Sequence, residues 1–207
     1  MKKSTSNLLY PATTAMDGAS ASFAGATNRS APILGQPPGL YFAYGSNMSS
    51  IRLQARIAQV ENVGLALLSG YQLSFYKKGG DGSGKCNIYR TGNYAHKVYG
   101  VLYRLDQGQL EKLDVYEGVG HGYHRKTVYC QLRSTSKTVN AVLYIAPGQY
   151  TDDSLLPFEW YRAFVLAGAR EQRLPETYIR EILEVAAVSD PDHARNLENS
   201  ALLAGTP

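Results

Sequence analysis

The chain has 207 residues, of which 44% are apolar and 18% charged, and this composition is typical of one ordinary globular domain. The net charge of +4 suggests nucleic-acid binding, but half of it comes from Lys2, Lys3 and Arg29 set against Asp17. A nucleic-acid binder carries a concentrated basic stripe, which this sequence lacks, so we expect no nucleic-acid partner.

Neither the apolar segments nor the cysteines indicate a membrane or metal protein. No segment approaches the roughly 18 apolar residues of a membrane span, and no continuous apolar region follows Met1-Lys2-Lys3 as in a signal peptide. Cys86 and Cys130 lack the spacing of a metal site or a redox pair. We therefore expect a cytoplasmic protein with two buried thiols, no membrane partner, no metal and no cofactor.

The composition divides the chain into three parts. Residues 1–38 are rich in Ala, Ser, Thr, Gly and Pro, and their apolar residues keep no period, which predicts a disordered N-terminal tail. Residues 39–188 carry periodic patterns and form the predicted domain. Residues 189–207 are predicted to be a polar C-terminal tail.

The elements of the domain follow in order along the chain. The sequence predicts strands at 40–44, 62–69, 71–77, 86–91, 97–105, 124–133 and 138–146. Helical spacing predicts a helix from about residue 48 and others at 107–116, 157–172 and 175–187. The glycine-rich segment at 79–84 predicts a surface loop or a lid. Many strands with a few helices indicate an α+β fold, with a curved sheet or barrel and flanking helices.

The first predicted strand ends in a turn that leads directly into a helix. Tyr44 is followed by Gly45, Ser46 and Asn47, so free backbone N–H groups at a helix start are available to an anionic or carbonyl ligand. A simpler interpretation is that Ser46 or Asn47 only caps the helix. The spacing alone leaves both interpretations open.

Glu117 occupies an unusual position in the predicted helix at 107–116. Asp106 and Gln109 form a capping box, and Leu110 and Leu113 define an apolar face on which Glu117 also falls. Burial and the negative end of the helix dipole both make an ionised carboxylate less favourable. A glutamate that acts as general base and acid at neutral pH needs such an environment. Alternatively, the helix end frays and Glu117 points into water.

At these two motifs the sequence resembles the γ-glutamylcyclotransferase family, also called AIG2-like. The family opens its domain with YGSN or a close variant, here within YFAYGSNM at 41–48, and places its glutamate in a Glu-Gly step, here LDVYEGV at 113–119. A third match is Tyr161 ahead of GARE at 168–171. The matches run in family order over the whole predicted domain.

The resemblance implies a small mixed β-barrel with flanking helices and a small-molecule γ-glutamyl substrate. It also implies that Glu117 is the catalytic base, and that no metal or cofactor takes part. The substrate-binding residues that it implies are Tyr41, Phe42, Ala43, Tyr44, Gly45, Ser46 and Tyr161.

Several alternatives remain open at this point. The leaving group could be an amino acid, an amine such as a lysine side chain, the Cys-Gly of glutathione or a carrier-bound biosynthetic amine. The motif YGSN is closer to the amino-acid-releasing branch of the family. A non-catalytic small-molecule binding module on the same fold, or an interaction protein, would belong to other classes. The sequence does not distinguish a monomer from a homodimer.

Overall fold

The computed structural model describes residues 39–205 of the protein. The predicted disordered tail at 1–38 lies outside the described residues and stays a prediction. Within 39–205, no helix has both the length and the apolar character needed to cross a membrane.

Five strands close into a small barrel in the order β1–β5–β2–β6–β7. Neighbouring strands are antiparallel, except that β1 pairs with β7 in parallel. The barrel and its helices confirm the predicted α+β class. The barrel strands are β1 (Gly39–Ala43), β2 (Glu61–Ser69), β5 (Lys97–Leu105), β6 (His124–Leu132) and β7 (Thr138–Ile145).

Strands β3 (Tyr71–Lys78) and β4 (Gly84–Arg90) form a separate antiparallel hairpin. The glycine-rich segment between them is a hydrogen-bonded turn, in which Gly79 N–H donates to the Ser83 carbonyl. The Asp81 carboxylate accepts from Ser83 and pairs with Lys85, whose ammonium lies over the rings of three aromatic side chains. These contacts fasten the turn to the domain. Its exposed residues confirm the predicted surface loop, and the alternative of a lid stays a prediction.

Five α-helices flank the barrel within residues 39–205: α1 (Ser50–Ile57), α2 (Gln107–Glu117), α3 (Glu159–Glu171), α4 (Glu176–Leu183) and α5 (His193–Ala204). The predicted capping box of α2 is present, because Asp106 accepts from Gln109 N–H and the Gln109 side chain accepts from Asp106 N–H. A short 3-10 helix, Ser46–Met48, precedes α1, and Gly148–Tyr150 forms a second one.

Helix α5 lies in the segment for which a polar tail was predicted. Asp192 caps its first turn, and the buried carboxylate of Asp190 binds both Arg195 and the indole N–H of Trp160 in α3. The apolar pattern of 189–207 is weak, so nothing local predicts that a helix docks here. The docking depends on the long-range contact between Asp190 and Trp160.

Helix α3 packs against the backbone of the turn that follows β1. A methyl group on Gly168 would lie 2.3 Å from Ser49 N and 2.5 Å from the carbonyl carbon of Met48. No side chain larger than hydrogen fits at residue 168 without displacing this turn.

We predict that Gly168→Ala destabilises the protein by about 1–3 kcal/mol, because the added methyl overpacks a rigid backbone contact. The matched control is Gly108→Ala in α2, where the nearest atom to the new methyl is Asp106 Oδ1 at 3.4 Å. That control replaces a helical glycine without a clash and should be neutral or stabilising by up to about 1 kcal/mol. Urea denaturation measures both, and equal midpoints for the two variants would contradict the packing described here.

Candidate active site

A small cavity of about 30 Å³ lies at the end of β1, where the 3-10 helix, β4, α2 and α3 meet. Most of the side chains around it are aromatic or polar. They are Tyr41, Tyr44, Gly45, Ser46, Asn47, Cys86, Glu117, Tyr123, Tyr144 and Tyr161.

A larger cavity of about 480 Å³ lies between the β3–β4 hairpin, β5 and α4. None of the residues of the two sequence motifs lines it. The smaller cavity is the better candidate site, since it brings the motif at 44–47 together with Glu117.

Glu117 is the last residue of α2 and points into the small cavity. The helix ends there because Gly118 adopts a left-handed conformation with φ of 61°. The side chain is 12% exposed, and its Oε1 accepts from Arg56 and from the Asn47 amide, each at 2.9 Å. Oε2 accepts no hydrogen bond from any residue in 39–205. One carboxylate oxygen is therefore held and the other is available to a ligand.

Arg56, on α1, is the partner of Glu117 that the sequence analysis missed. Its guanidinium also donates to Asn47 Oδ1 at 3.0 Å, so the three side chains bind one another. The sequence predicted burial of Glu117 but gave no counter-ion.

The side chains of Ser46 and Asn47 bind other side chains and do not cap a helix. Neither the 3-10 helix nor α1 has a side-chain cap. Asn47 instead donates to Tyr41 Oη at 2.9 Å and to Glu117, while Ser46 Oγ accepts from Arg52. The capping interpretation of this motif is therefore wrong.

The backbone of the same turn offers hydrogen-bond donors. Within residues 39–205, the N–H groups of Gly45, Ser46 and Asn47 donate to no other protein group. A methyl group on Gly45 would lie 2.9 Å from Cys86 Cβ and 3.5 Å from Tyr161 Oη. Glycine is thus required here by the close approach of β4, in addition to any role toward a ligand.

Five buried tyrosines form the wall of the cavity. Burial raises the pKa of each phenol, and the nearby negative charge of Glu117 raises these pKa values further. The phenols therefore stay neutral at physiological pH and act as hydrogen-bond donors or acceptors. They are Tyr41, Tyr44, Tyr123, Tyr144 and Tyr161.

Two of these tyrosines fasten the backbone of Cys86 in β4. Tyr161 Oη accepts from Cys86 N–H at 2.9 Å, and Tyr123 O–H donates to the Cys86 carbonyl. Burial raises the pKa of the Cys86 thiol to about 12, so the thiol is protonated and is no nucleophile at neutral pH. Both Cys86 and Cys130 are free and buried, as the sequence predicted.

The structure brings together most of the residues that the resemblance implied, but not all. Six of them line the one cavity: Tyr41, Tyr44, Gly45, Ser46, Tyr161 and Glu117. Phe42 and Ala43 do not line it, because both are fully buried within β1, where the Phe42 ring packs against Gly100 of β5.

Sequence reasoning missed five residues of the site. Asn47 and Tyr123 stand within or beside the motifs, so their position was a usable signal. Arg56 lies four residues after Arg52, on the same helix face, which is a weak signal. Nothing in the sequence around Cys86 or Tyr144 indicates a site.

Comparison with known proteins adds independent observations. Residues 97–182 match the AIG2-like family, and this region contains Glu117 and Tyr161. The γ-glutamylcyclotransferase of Bos taurus is 28% identical over 151 residues, which are 69% of this chain and 76% of the bovine protein. The Homo sapiens protein of the same name is 27% identical over 146 residues, 67% of this chain and 74% of the human one.

Solved structures share the fold. A γ-glutamyl cyclotransferase superposes with a TM-score of 0.72 at 22% identity, covering 81% of this chain and 98% of that chain. YkqA from Bacillus subtilis superposes with a TM-score of 0.62 at 22% identity, covering 74% of this chain and 57% of YkqA.

We predict that Tyr161→Phe lowers the free energy of unfolding by about 1–3 kcal/mol, because the buried Cys86 N–H loses its acceptor. For a domain of this size, that loss lowers Tm by roughly 2–4 °C per kcal/mol. The control is Tyr129→Phe, an exposed tyrosine on β6 whose hydroxyl has no partner in residues 39–205. Equal Tm values for the two variants would show that the Tyr161–Cys86 bond does not stabilise the fold.

Proposed function

Because the chain is a distant member of the AIG2-like and γ-glutamylcyclotransferase family, we propose that it cyclises the γ-glutamyl group of a γ-glutamyl amide to 5-oxoproline. The observation that carries this proposal is the Glu117 carboxylate, which is held through Oε1 while Oε2 remains available in the cavity.

The reaction needs one proton acceptor and no other reactant. The α-amine of the glutamyl group attacks the γ-carbonyl carbon, the new C–N bond closes a five-membered ring, and the original amide C–N bond breaks. The products are 5-oxoproline and the free amine. Because the attack is intramolecular, binding the substrate in a folded shape supplies much of the acceleration, with effective molarities on the order of 10⁵ M or higher.

Glu117 has the position and the free oxygen that the proton transfers require. Oε2 accepts a proton from the substrate ammonium and later returns it to the departing nitrogen. Arg56 and Asn47 fix the orientation of the carboxylate by holding Oε1.

The turn after β1 supplies the complementary donors. The unpaired N–H groups of Gly45, Ser46 and Asn47 are suited to hold a carboxylate or an oxyanion of the substrate. We assign them to the glutamyl α-carboxylate, because the ammonium on the same carbon must reach Glu117.

The size of the cavity limits what can enter. About 30 Å³ accommodates roughly two water molecules, which is less than a glutamyl group needs. Binding of the glutamyl group therefore requires the cavity to widen, and the rest of the substrate would lie outside the cavity, at its rim.

We predict that Glu117→Gln lowers kcat for 5-oxoproline release by at least about 100-fold, since the amide keeps the shape of the side chain but cannot accept the proton. The measurement is 5-oxoproline release from a panel of γ-glutamyl amides, with Tm recorded for each variant. The control is Glu111→Gln, an exposed glutamate on the same helix that bonds only Gln107. If Glu117→Gln retains more than a few per cent of kcat, Glu117 is not the base.

A further inference from the structure

Lys77, near the end of β3, is a half-buried ammonium at the rim of the small cavity. Its Nζ lies 4.7 Å from the centre of the Tyr123 ring, and Tyr123 lines the cavity. A methyl group on Gly122 would lie 3.1 Å from Lys77 Nζ and 3.7 Å from the Glu117 carbonyl oxygen. Lys77 therefore flanks the same short loop as the proposed base.

This ammonium has no hydrogen-bond or ion-pair partner in residues 39–205. Burial lowers the pKa of Lys77, while the charges of Glu117 and Asp81 act in the opposite direction without contacting it. Lys85, in contrast, is paired with the carboxylate of Asp81 at 2.6 Å and with Ser83. A half-buried cation without a counter-ion is costly, so the position favours an anionic ligand.

The part of the substrate that reaches the rim is the leaving group. The cavity holds little more than two waters, and the donors of the turn at Gly45 to Asn47 already serve the glutamyl α-carboxylate in the proposed function. Tyr123 separates the two places, since its hydroxyl reaches the Cys86 carbonyl beside Gly45 while its ring lies beneath Lys77. An anion that meets Lys77 is therefore carried by the leaving group.

We propose that Lys77 is a specificity-determining residue, which binds a carboxylate on the leaving group of the substrate. This inference rests on the proposed function and sharpens it. The chain then prefers γ-glutamyl amides whose leaving group is an amino acid to those whose leaving group is an amine without a carboxylate.

The experiment compares two substrates that differ only in this carboxylate, γ-glutamylalanine and γ-glutamylethylamide. For the wild-type protein, kcat/KM should be about tenfold or more higher for γ-glutamylalanine. Lys77→Met should lower kcat/KM for γ-glutamylalanine to near that for γ-glutamylethylamide, whose own value should change little. Lys77→Arg keeps the charge and should retain most of the preference.

The control is Lys78→Met, which removes the neighbouring exposed ammonium of the same strand and should leave the preference intact. Tm of each variant establishes folding, and Lys77→Gln replaces Lys77→Met if the latter unfolds. An equal fall in kcat/KM for both substrates would assign Lys77 to the glutamyl α-carboxylate and overturn the inference. No change for either substrate would overturn it as well. Absence of 5-oxoproline from both substrates with the wild-type protein would instead contradict the proposed function itself.

Discussion

The ion pair between Glu117 and Arg56, completed by Asn47, is the interaction on which the site depends. It joins the end of α2 to α1 and to the turn after β1, and Asn47 extends it to the hydroxyl of Tyr41. Arg56 and Glu117 are both largely buried, so removing either one would leave the other charge uncompensated and destabilise the arrangement. The same contacts orient Glu117 so that one oxygen stays unoccupied.

The tyrosines place the other elements relative to that ion pair. Tyr144 donates to Asp114 of α2, Tyr44 donates to the Tyr144 carbonyl, and the Tyr161 and Tyr123 hydroxyls bind the backbone of Cys86. The elements that form the cavity wall are therefore held together by hydrogen bonds. Neutral phenols make these bonds, so they add no charge to the site. Cys86 binds both tyrosines through its backbone N–H and carbonyl, which any residue except proline carries.

Local sequence patterns predicted what local forces determine. The capping box at Asp106 and the apolar spacing through Leu113 placed Glu117 at the end of a helix, and the predicted strands lie close to the observed ones. Contacts between residues that are far apart in the sequence could not be predicted. Arg56 and Glu117 are 61 residues apart, and Asp190 and Trp160, which dock α5, are 30 apart. No periodicity encodes which side chains meet when a barrel closes.

The proposed substrate would supply the negative charge that Lys77 lacks among residues 39–205. Glu117, Arg56 and Lys77 together carry a net charge of +1. The γ-glutamyl amino acid that we propose as substrate carries one ammonium and two carboxylates, a net charge of −1, which balances the charge of these three side chains. In the proposed reaction, proton transfer from the ammonium to Glu117 would leave that sum unchanged. A substrate without the second carboxylate would leave the Lys77 ammonium as uncompensated as it is in the free protein, and its binding would gain nothing from this charge.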